Sequence, residues 1–176
     1  MVRKSRTELA VLGALSIKPM SGYAVRQAID ETLGHFWRES FGQIYPTLAR
    51  LESEGLIRRD GAGATSGSVF ALTEPGRVRL GDLLAEPVEQ SAPRDPLLLR
   101  LFFGRQLGPA ACRALLEEAA SRAEALLIDF DRIEAEEADN PSPDAPYWRM
   151  TLAAGRHAAR ARIHWAREAL ELLPTI

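Results

Sequence analysis

Apolar residues recur every three or four positions near the start of the chain, which is the spacing of an amphipathic helix. The first helix is predicted to begin with Thr7 as its N-cap and to end at Lys18-Pro19. The second begins with Ser21 as its N-cap and ends at Gly34. Its predicted apolar set is Tyr23, Val25, Ala28, Ile29 and Leu33.

A third helical stretch has the clearest division into an apolar and a polar side. Phe41, Ile44, Leu48 and Leu51 form the apolar stripe, and Gln43, Pro46, Arg50 and Ser53 lie opposite. Ser40 followed by Gln43 is a capping-box pattern, and Gly55 is a stop signal. Pro46 lacks an N–H and its ring presses on the carbonyl of Gly42, so we predict a bent first turn rather than a broken helix.

The next residues have the pattern of a β-hairpin followed by a helix. Residues 56–59 are predicted to form a strand, 60–67 a turn and 68–72 the returning strand, with Phe70 and Leu72 on one face. Thr73, followed by Glu-Pro-Gly, opens a fourth helix.

The second half is predicted to be helical after a linker at residues 87–95. Asp95 caps a fifth helix that is apolar on nearly all sides, so we expect that helix to be buried among several neighbours. A long helix begins at Gly108-Pro109 and reaches about Ala138. The last helix covers residues 147–173, and Gly155 within it permits a close approach by another element.

Composition narrows the classes of protein that fit. The 176 residues hold 46% hydrophobic residues and no apolar run long enough to span a membrane. The first residues do not have the pattern of a signal peptide, and the single Cys112 fits a reducing compartment, so we expect a cytoplasmic protein. The net charge is −2, so nucleic-acid binding requires a local basic patch.

The third helix resembles a helix of known regulators. Gly42-Gln-Ile-Tyr-Pro-Thr-Leu-Ala-Arg-Leu-Glu-Ser-Glu-Gly-Leu-Ile57 is similar, almost residue for residue, to the third helix of PadR-family transcriptional regulators. Pro19-Met-Ser-Gly-Tyr23 and Leu72-Thr-Glu-Pro-Gly-Arg77 also match that family. Arg100-Leu-Phe-Phe-Gly104 resembles the start of the C-terminal domain in the subgroup related to virulence-gene activators.

The resemblance and the element order together predict a mainly α fold. Residues 1–86 are predicted to form a winged helix-turn-helix DNA-binding domain of three helices, a two-stranded wing and a fourth helix. Residues 96–176 are predicted to form an α-helical dimerisation and effector domain. The implied function is that of a sequence-specific regulator, a ligand-responsive repressor that binds a pseudo-palindromic operator as a homodimer.

The polar side of the third helix supplies the candidate DNA contacts. Gln43, Arg50 and Ser53 point outward, with Tyr45 and Thr47 at the flanks. Gln pairs with adenine edges in the major groove, and Arg pairs with guanine or phosphate. The resemblance implies that Ser40, Tyr45 and Pro46 lie against the DNA backbone. For Tyr45, a core position with its hydroxyl at the surface fits the spacing equally well.

Basic residues near the hairpin and the N-terminus are the candidate phosphate contacts. These are Arg58, Arg59, Lys4 and Arg6, although Lys4 fits a solvated tail equally well. PadR wings usually carry basic residues, whereas residues 62–68 carry none. The electrostatic attraction to DNA is therefore expected to be weaker than is usual for the family.

The helical domain supplies the candidate dimer and ligand residues. Its apolar surface predicts self-association through residues 95–173, and the candidates are Leu98, Leu101, Phe102, Leu126, Phe130 and Leu170. The resemblance implies a small aromatic effector, for which Tyr147, Trp148 and Trp165 are candidates, although a plain core role also fits them. We expect no cofactor and no metal.

Two other classes of function compete with DNA binding. An enzyme is disfavoured because His157, His164 and Cys112 do not form a recognised catalytic or metal-binding motif. A winged helix used only for contact with another protein is the stronger rival, because the predicted wing is neutral and the chain is slightly acidic.

Overall fold

A computed structural model describes residues 2–33, 41–60, 68–88 and 94–174. The chain divides into two compact units, Met1–Gln90 and Ser91–Ile176. Helices make up most of both units, and a small antiparallel sheet belongs to the first. The predicted fold class, mainly α with a winged helix-turn-helix, is confirmed.

The first unit contains four α-helices and three strands among its described residues. In chain order they are α1 (Val2–Ile17), β1 (Met20–Ser21), α2 (Gly22–Ala28), α3 (Phe41–Ser53), β2 (Ile57–Asp60), β3 (Val69–Leu72) and α4 (Glu74–Ala85). A single π-helical turn, Ile29–Leu33, continues α2. The sheet order is β1-β3-β2, with Met20 opposite Phe70 and Ile57 opposite Leu72.

The core of this unit is built on the apolar stripe of α3. Ile44, Leu48 and Leu51 are buried against α1, α2 and the sheet, as the spacing predicted. The helix continues through Pro46 without a break. Gly55 ends it in a left-handed conformation (φ 71°), and the amide of Leu56 donates to the carbonyl of Leu51 at 2.9 Å.

Helix α4 packs tightly on the start of the hairpin. The Thr73 hydroxyl accepts a hydrogen bond from the amide of Gly76 at 3.1 Å, which confirms Thr73 as the N-cap. A Cβ atom at Gly76 would collide with the carbonyl oxygen of Leu56, so only glycine allows this approach.

Some predicted boundaries in the first unit are wrong. Helix α1 begins at Val2, and Thr7 is a buried residue inside it rather than its N-cap. Strand β1 was missed because two residues are too few to show an alternating pattern. Tyr23 is exposed rather than part of the apolar set of α2. Ser21, in contrast, accepts from the amide of Ala24 and caps α2 as predicted.

Several predictions concern residues outside the described ranges. They are the cap at Ser40, the stop at Gly34 and residues 61–67 of the turn predicted at 60–67, whose first residue, Asp60, belongs to strand β2. The side chains of Lys4 and Phe41 also lie outside what the structure describes.

Residues 94–174, the described part of the second unit, form four helices. They are α5 (Pro96–Phe102), α6 (Gly104–Leu107), α7 (Pro109–Glu136) and α8 (Ala145–Glu171). Helices α7 and α8 pack along their length as an antiparallel pair, and the ring of Phe130 lies against Gly155. A Cβ at residue 155 would come within 2.7 Å of that ring, so the predicted close approach occurs within one chain.

Helix α5 begins as predicted and is largely exposed within one chain. Asp95 caps it by accepting from the amides of Leu97 (2.9 Å) and Leu98 (3.3 Å), and it also accepts from Arg162 of α8 at 2.8 Å. The apolar residues Leu98, Leu99, Phe102 and Phe103 are nevertheless exposed. Neighbours within one chain therefore leave much of α5 exposed, because α7 and α8 pack mainly on each other. Its burial among several neighbours stays a prediction.

Candidate nucleic-acid interface

The surface of α3 opposite its buried stripe is polar and open to solvent. Gln43, Pro46 and Ser53 are all exposed on this side. The stripe of leucine and isoleucine holds the helix against the core, so the outward row of side chains is presented on a rigid element. This row is the surface that can enter a DNA groove.

Tyr45 lies at the edge of that row with its ring against α2. A Cβ atom at Gly22 would lie 2.9 Å from Cε1 of Tyr45, so the ring packs directly over this glycine. Tyr45 is nevertheless 51% exposed. Between the two positions that its spacing allowed, the structure selects the surface position, with one ring face packed on glycine.

Thr47 does not lie at the exposed flank where the spacing placed it. It is 9% exposed, and it projects from the same side of α3 as Ile44 and Leu51. Residues three or four apart lie within about 60° of each other around a helix, so Thr47 falls inside the buried sector. The buried sector of α3 is therefore wider than its apolar residues alone indicate.

Arg50 is only half exposed because two carboxylates hold its guanidinium group. Its Nη2 donates to Oε2 of Glu8 at 2.8 Å, and its Nη1 donates to both carboxylate oxygens of Glu54, at 2.8 and 3.0 Å. The second oxygen of Glu8 accepts from Nε of Arg79 at 2.7 Å. Glu8 therefore links α1 to α3 and α4 through a single carboxylate.

The Glu8 carboxylate is charged in spite of its burial. Its side chain is 6% exposed, and burial alone would raise its pKa. Hydrogen bonds from Arg79 and Arg50 more than offset this effect, so the pKa of Glu8 lies below its ordinary value of 4.5. The group consists of two arginines and two carboxylates, Glu8 and Glu54, and it carries no net formal charge.

The two arginines at the base of the hairpin differ in their surroundings. Arg59 donates to both oxygens of Glu52, at 3.0 and 2.8 Å, and its guanidinium lies 5.2 Å from the centre of the Phe70 ring. Its hydrogen bond to Glu52 raises its pKa further. Arg58 is more exposed and forms a weaker ion pair with Asp60 at 3.2 Å. Arg6, on α1, is half-buried.

The predicted dimer residues of the second unit fall into three groups. Leu98, Phe102 and Leu126 are exposed, and Phe102 is the most open at 84%. Leu101 and Leu170 are half-buried. Phe130 is buried in its own chain against Gly155, so it does not offer a free surface.

The three aromatic residues predicted to line a pocket do not come together in one chain. Trp148 and Trp165 lie on the same helix, α8, and are about 25 Å apart along its axis. Tyr147 is exposed, and Trp165 packs under the guanidinium of Arg162, 5.1 Å from its ring centre. A groove of about 370 Å³ lies elsewhere, lined by Arg100, Leu107, Ala111, Ala114, Leu115 and Glu118.

The residues considered for catalysis are not assembled into a site. His157 and His164 are exposed on α8, whereas Cys112 is buried and its thiol donates to the carbonyl of Gly104 at 3.6 Å. Within the described ranges, no three His, Cys, Asp or Glu side chains are grouped closely enough to hold a metal ion. The described helices also include none with the length and apolar character needed to cross a membrane.

Three helices closed by an antiparallel hairpin, with an exposed polar face on the third helix, define a winged helix-turn-helix of the DNA-binding type. The profile of the transcriptional regulator PadR-like family matches residues 11–82. The profile of the virulence activator alpha C-terminal domain matches residues 93–174. The chain therefore belongs to the PadR family of transcriptional regulators, in the subgroup with this C-terminal domain.

Similar proteins cover nearly the whole chain. The negative transcriptional regulator PadR of Bacillus subtilis is 26% identical over 175 residues, which are 93% of this chain and 95% of that protein. A crystal structure of a PadR-like regulator from Bacillus cereus has a TM-score of 0.81 and 26% identity, and the match covers 94% of this chain and 96% of that one.

Two crystal structures of the Bacillus subtilis protein contain a binding partner. The complex with operator DNA has a TM-score of 0.79 and 25% identity, and the match covers 95% of this chain and 98% of that one. The complex with p-coumaric acid has a TM-score of 0.75 and 26% identity, with coverage of 94% and 96%.

Proposed function

We propose that this regulator binds double-stranded DNA sequence-specifically, with α3 in the major groove. The observation that carries the proposal is the exposed row Gln43, Tyr45 and Pro46 on a helix whose opposite face is locked into the core. A major groove admits one α-helix, and base edges are read by the side chains on its outer face. The operator complex of the Bacillus subtilis relative supports this reading.

The site residues have different roles in this proposal. Gln43 reads a base edge, because a glutamine amide both donates to and accepts from adenine. Ser40, the Tyr45 hydroxyl and Pro46 contact the DNA backbone. Phosphate contacts come from Lys4, Arg6 and Arg58, and Arg58 is the most exposed arginine at the base of the hairpin. Arg59, which Glu52 holds, contributes only after that pair opens.

A binding experiment on Gln43 tests sequence reading. The wild-type protein first selects a duplex from a random pool of DNA. The affinities of the wild type, Gln43→Ala and the exposed-residue control Gln106→Ala are then measured for this duplex and for duplexes with single base-pair substitutions. Gln43→Ala is expected to lose discrimination at one base pair by about 1–3 kcal/mol. The control is expected to bind as wild type does. Failure of the wild type to enrich any duplex at low salt would instead favour the protein-contact alternative.

We also propose that residues 96–176 form a homodimer, with residues 87–95 as the linker from the DNA-binding domain at residues 1–86. The support is the exposure of the apolar side chains Leu98 and Phe102 on α5 and Leu126 on α7, which would otherwise face water. Two reading helices related by a two-fold axis bind half-sites about 34–36 Å apart, or a multiple of that distance. The operator is therefore expected to be a pseudo-palindrome.

A small aromatic effector is the proposed signal, and repression is the proposed direction of control. The support is a relative described as a negative regulator and solved with p-coumaric acid. Because Trp148 and Trp165 are far apart in one chain, each would report on a different region of the second unit. Titration of tryptophan fluorescence with p-coumaric acid and related acids, in Trp148→Phe and Trp165→Phe variants, tests for binding and locates it.

A further inference from the structure

Three helices of the DNA-binding unit converge on one buried carboxylate. Glu8 of α1 uses one oxygen to accept from Arg50 of α3 and the other to accept from Arg79 of α4. Neither arginine lies near Glu8 in sequence, so the group exists only in the folded unit. We call Glu8, Arg50 and Arg79 the carboxylate clamp.

The clamp contacts α3 through a residue on the same side of the helix as Gln43, which is the side proposed to read DNA. Gln43 and Arg50 are seven residues apart, so they lie nearly in line along the helix, two turns from each other. Gln43 points to solvent, whereas Arg50 bends back to Glu8. The contact of Arg50 with Glu8 therefore restrains rotation of α3 about its own axis, and that rotation sets where Gln43 points.

Stability alone does not account for such a group. A buried ion pair costs desolvation energy that its Coulombic attraction only partly offsets, and apolar residues of similar volume are often as stabilising. Charge-assisted hydrogen bonds add a defined geometry, because each carboxylate oxygen accepts along a fixed direction. A reading helix needs such a geometry, because base contacts tolerate only small misplacement.

Arg50 is also poorly available to DNA. The carboxylates of Glu8 and Glu54 accept four charge-assisted hydrogen bonds, and Arg50 donates three of them. A guanine edge or a phosphate would have to displace a carboxylate to reach it. The local formal charge is zero, so this point on α3 attracts the DNA backbone only weakly.

We propose that Glu8 is a positioning residue for DNA recognition, and that Arg50 serves as its partner on α3 rather than as a reader of a base. This inference rests on the proposed DNA-binding function and refines the role of one residue on its reading helix. Loss of either partner lets α3 turn slightly on its core contacts, so binding must first restore its orientation, and affinity falls alike for every duplex in the panel.

The test uses the duplex selected by the wild-type protein and a panel with each base pair substituted singly. The variants are Glu8→Gln, Arg50→Gln and their double mutant, with Glu54→Gln as the matched control on the exposed side of the same arginine. Circular dichroism and thermal melting establish that each variant is folded at the temperature of the binding measurement. Fluorescence anisotropy then gives affinity across the panel and over a range of salt concentrations.

The clamp predicts one pattern in these data. Glu8→Gln and Arg50→Gln each lose about tenfold in affinity for the selected duplex, and the double mutant loses little more, because both remove the same interaction. The preference for each base pair and the salt dependence stay as in the wild type. Glu54→Gln binds within about twofold of the wild type, since exposed pairs contribute little.

Two other patterns would overturn the inference. If Arg50→Gln loses discrimination at one base pair, or the slope of log affinity against log salt falls by about 0.9, Arg50 contacts DNA directly. If folded Glu8→Gln binds as the wild type does, the clamp serves stability only. Should Glu8→Gln fail to fold, Arg50→Gln carries the test alone, because it removes the same contact from the side of α3 and is expected to lower affinity without changing base preference or salt dependence. Absence of any selected duplex would contradict the proposed function itself.

Discussion

Gly22 is the residue on which the exposed ring of Tyr45 rests. Gly22→Ala would place a methyl group 2.9 Å from Cε1 of that ring, so the ring must move toward the side where DNA is proposed to bind. We expect affinity for the selected duplex to fall about threefold to tenfold, the range of one displaced hydrogen bond. Binding measured by fluorescence anisotropy checks this expectation.

The same substitution has an internal control in Tyr45. In a Tyr45→Ala background the ring is absent, so the added methyl group at residue 22 meets much less resistance. Gly22→Ala is then expected to change affinity by less than about twofold. An equal effect of Gly22→Ala with and without the Tyr45 ring would show that the glycine acts in some other way.

Glu8 also makes folding stability depend on pH. The pKa of its carboxyl group lies below 4.5 in the folded protein, because hydrogen bonds from Arg79 and Arg50 exceed the opposing effect of burial. Its stabilising contribution is therefore complete above about pH 4.5 and is lost as the pH falls through the folded pKa. The carboxylates of Glu54, Asp82 and Glu86 also face the two arginines.

Urea unfolding of the wild type and Glu8→Gln from pH 7 to pH 3 isolates the contribution of Glu8. The difference in unfolding free energy is expected to be constant above about pH 5 and to shrink as the pH falls below 4.5. Glu54→Gln serves as the comparison, because its carboxylate is exposed on the same network. A difference that stays constant down to pH 3 would contradict the assignment.

At the scale of elements, helix α4 offers a matched pair of glycines. Gly76 lies against the carbonyl of Leu56, whereas a Cβ atom at Gly81 would meet nothing within 4 Å. Gly76→Ala is expected to destabilise the protein by about 1–3 kcal/mol or more, because backbone atoms must move apart. Gly81→Ala is expected to stabilise it by about 0.5–1 kcal/mol, since alanine is the better helix former.

Chemical denaturation of the two variants measures both effects in one helix. The comparison separates the contact between α4 and the hairpin from the general helix propensity of glycine. Equal stability changes for the two substitutions would mean that α4 does not depend on its close approach to Leu56.

At the scale of the whole molecule, exposed apolar side chains motivate the proposed dimer. Phe102 is 84% exposed, so a Phe102→Glu change should be tolerated by the fold of one chain. It is expected to prevent self-association by placing a charge in the apolar interface. Sedimentation should then give half the mass found for the wild type, and affinity for a pseudo-palindromic duplex should fall steeply.

A control for this change lies in the first unit. Val78 on α4 is also exposed, and Val78→Glu adds the same charge outside the proposed dimer surface. It is expected to leave the mass unchanged. A monomeric wild type at micromolar concentration would contradict the proposed dimer directly.

The order and type of most elements followed from local patterns. The stripe on α3, the stop at Gly55, and the caps at Ser21, Thr73 and Asp95 depend on residues close together in sequence, so their chemistry is visible in the chain. The match of residues 42–57 to a known helix indicated the family for the same reason. Strand β1 escaped prediction because its pairing with β3 is decided by residues 50 positions away.

Predictions of the functional surface were less complete. Periodicity places Gln43 and Arg50 on one side of a helix, but it cannot show that a carboxylate from α1 turns Arg50 inward. It likewise assigned Thr47 to a flank that the core covers, and it grouped Trp148 with Trp165, which α8 holds apart. Each of these outcomes depends on which distant element packs nearby.

The sequence alone determined the helices, the hairpin, the family and the row of polar residues on α3, because spacing and capping act over a few residues. Only the tertiary structure decided which of those polar residues are free for a partner. Burial, ion pairing and the packing of Tyr45 on Gly22 depend on contacts between segments that are far apart in sequence. A pattern along the chain does not show those contacts.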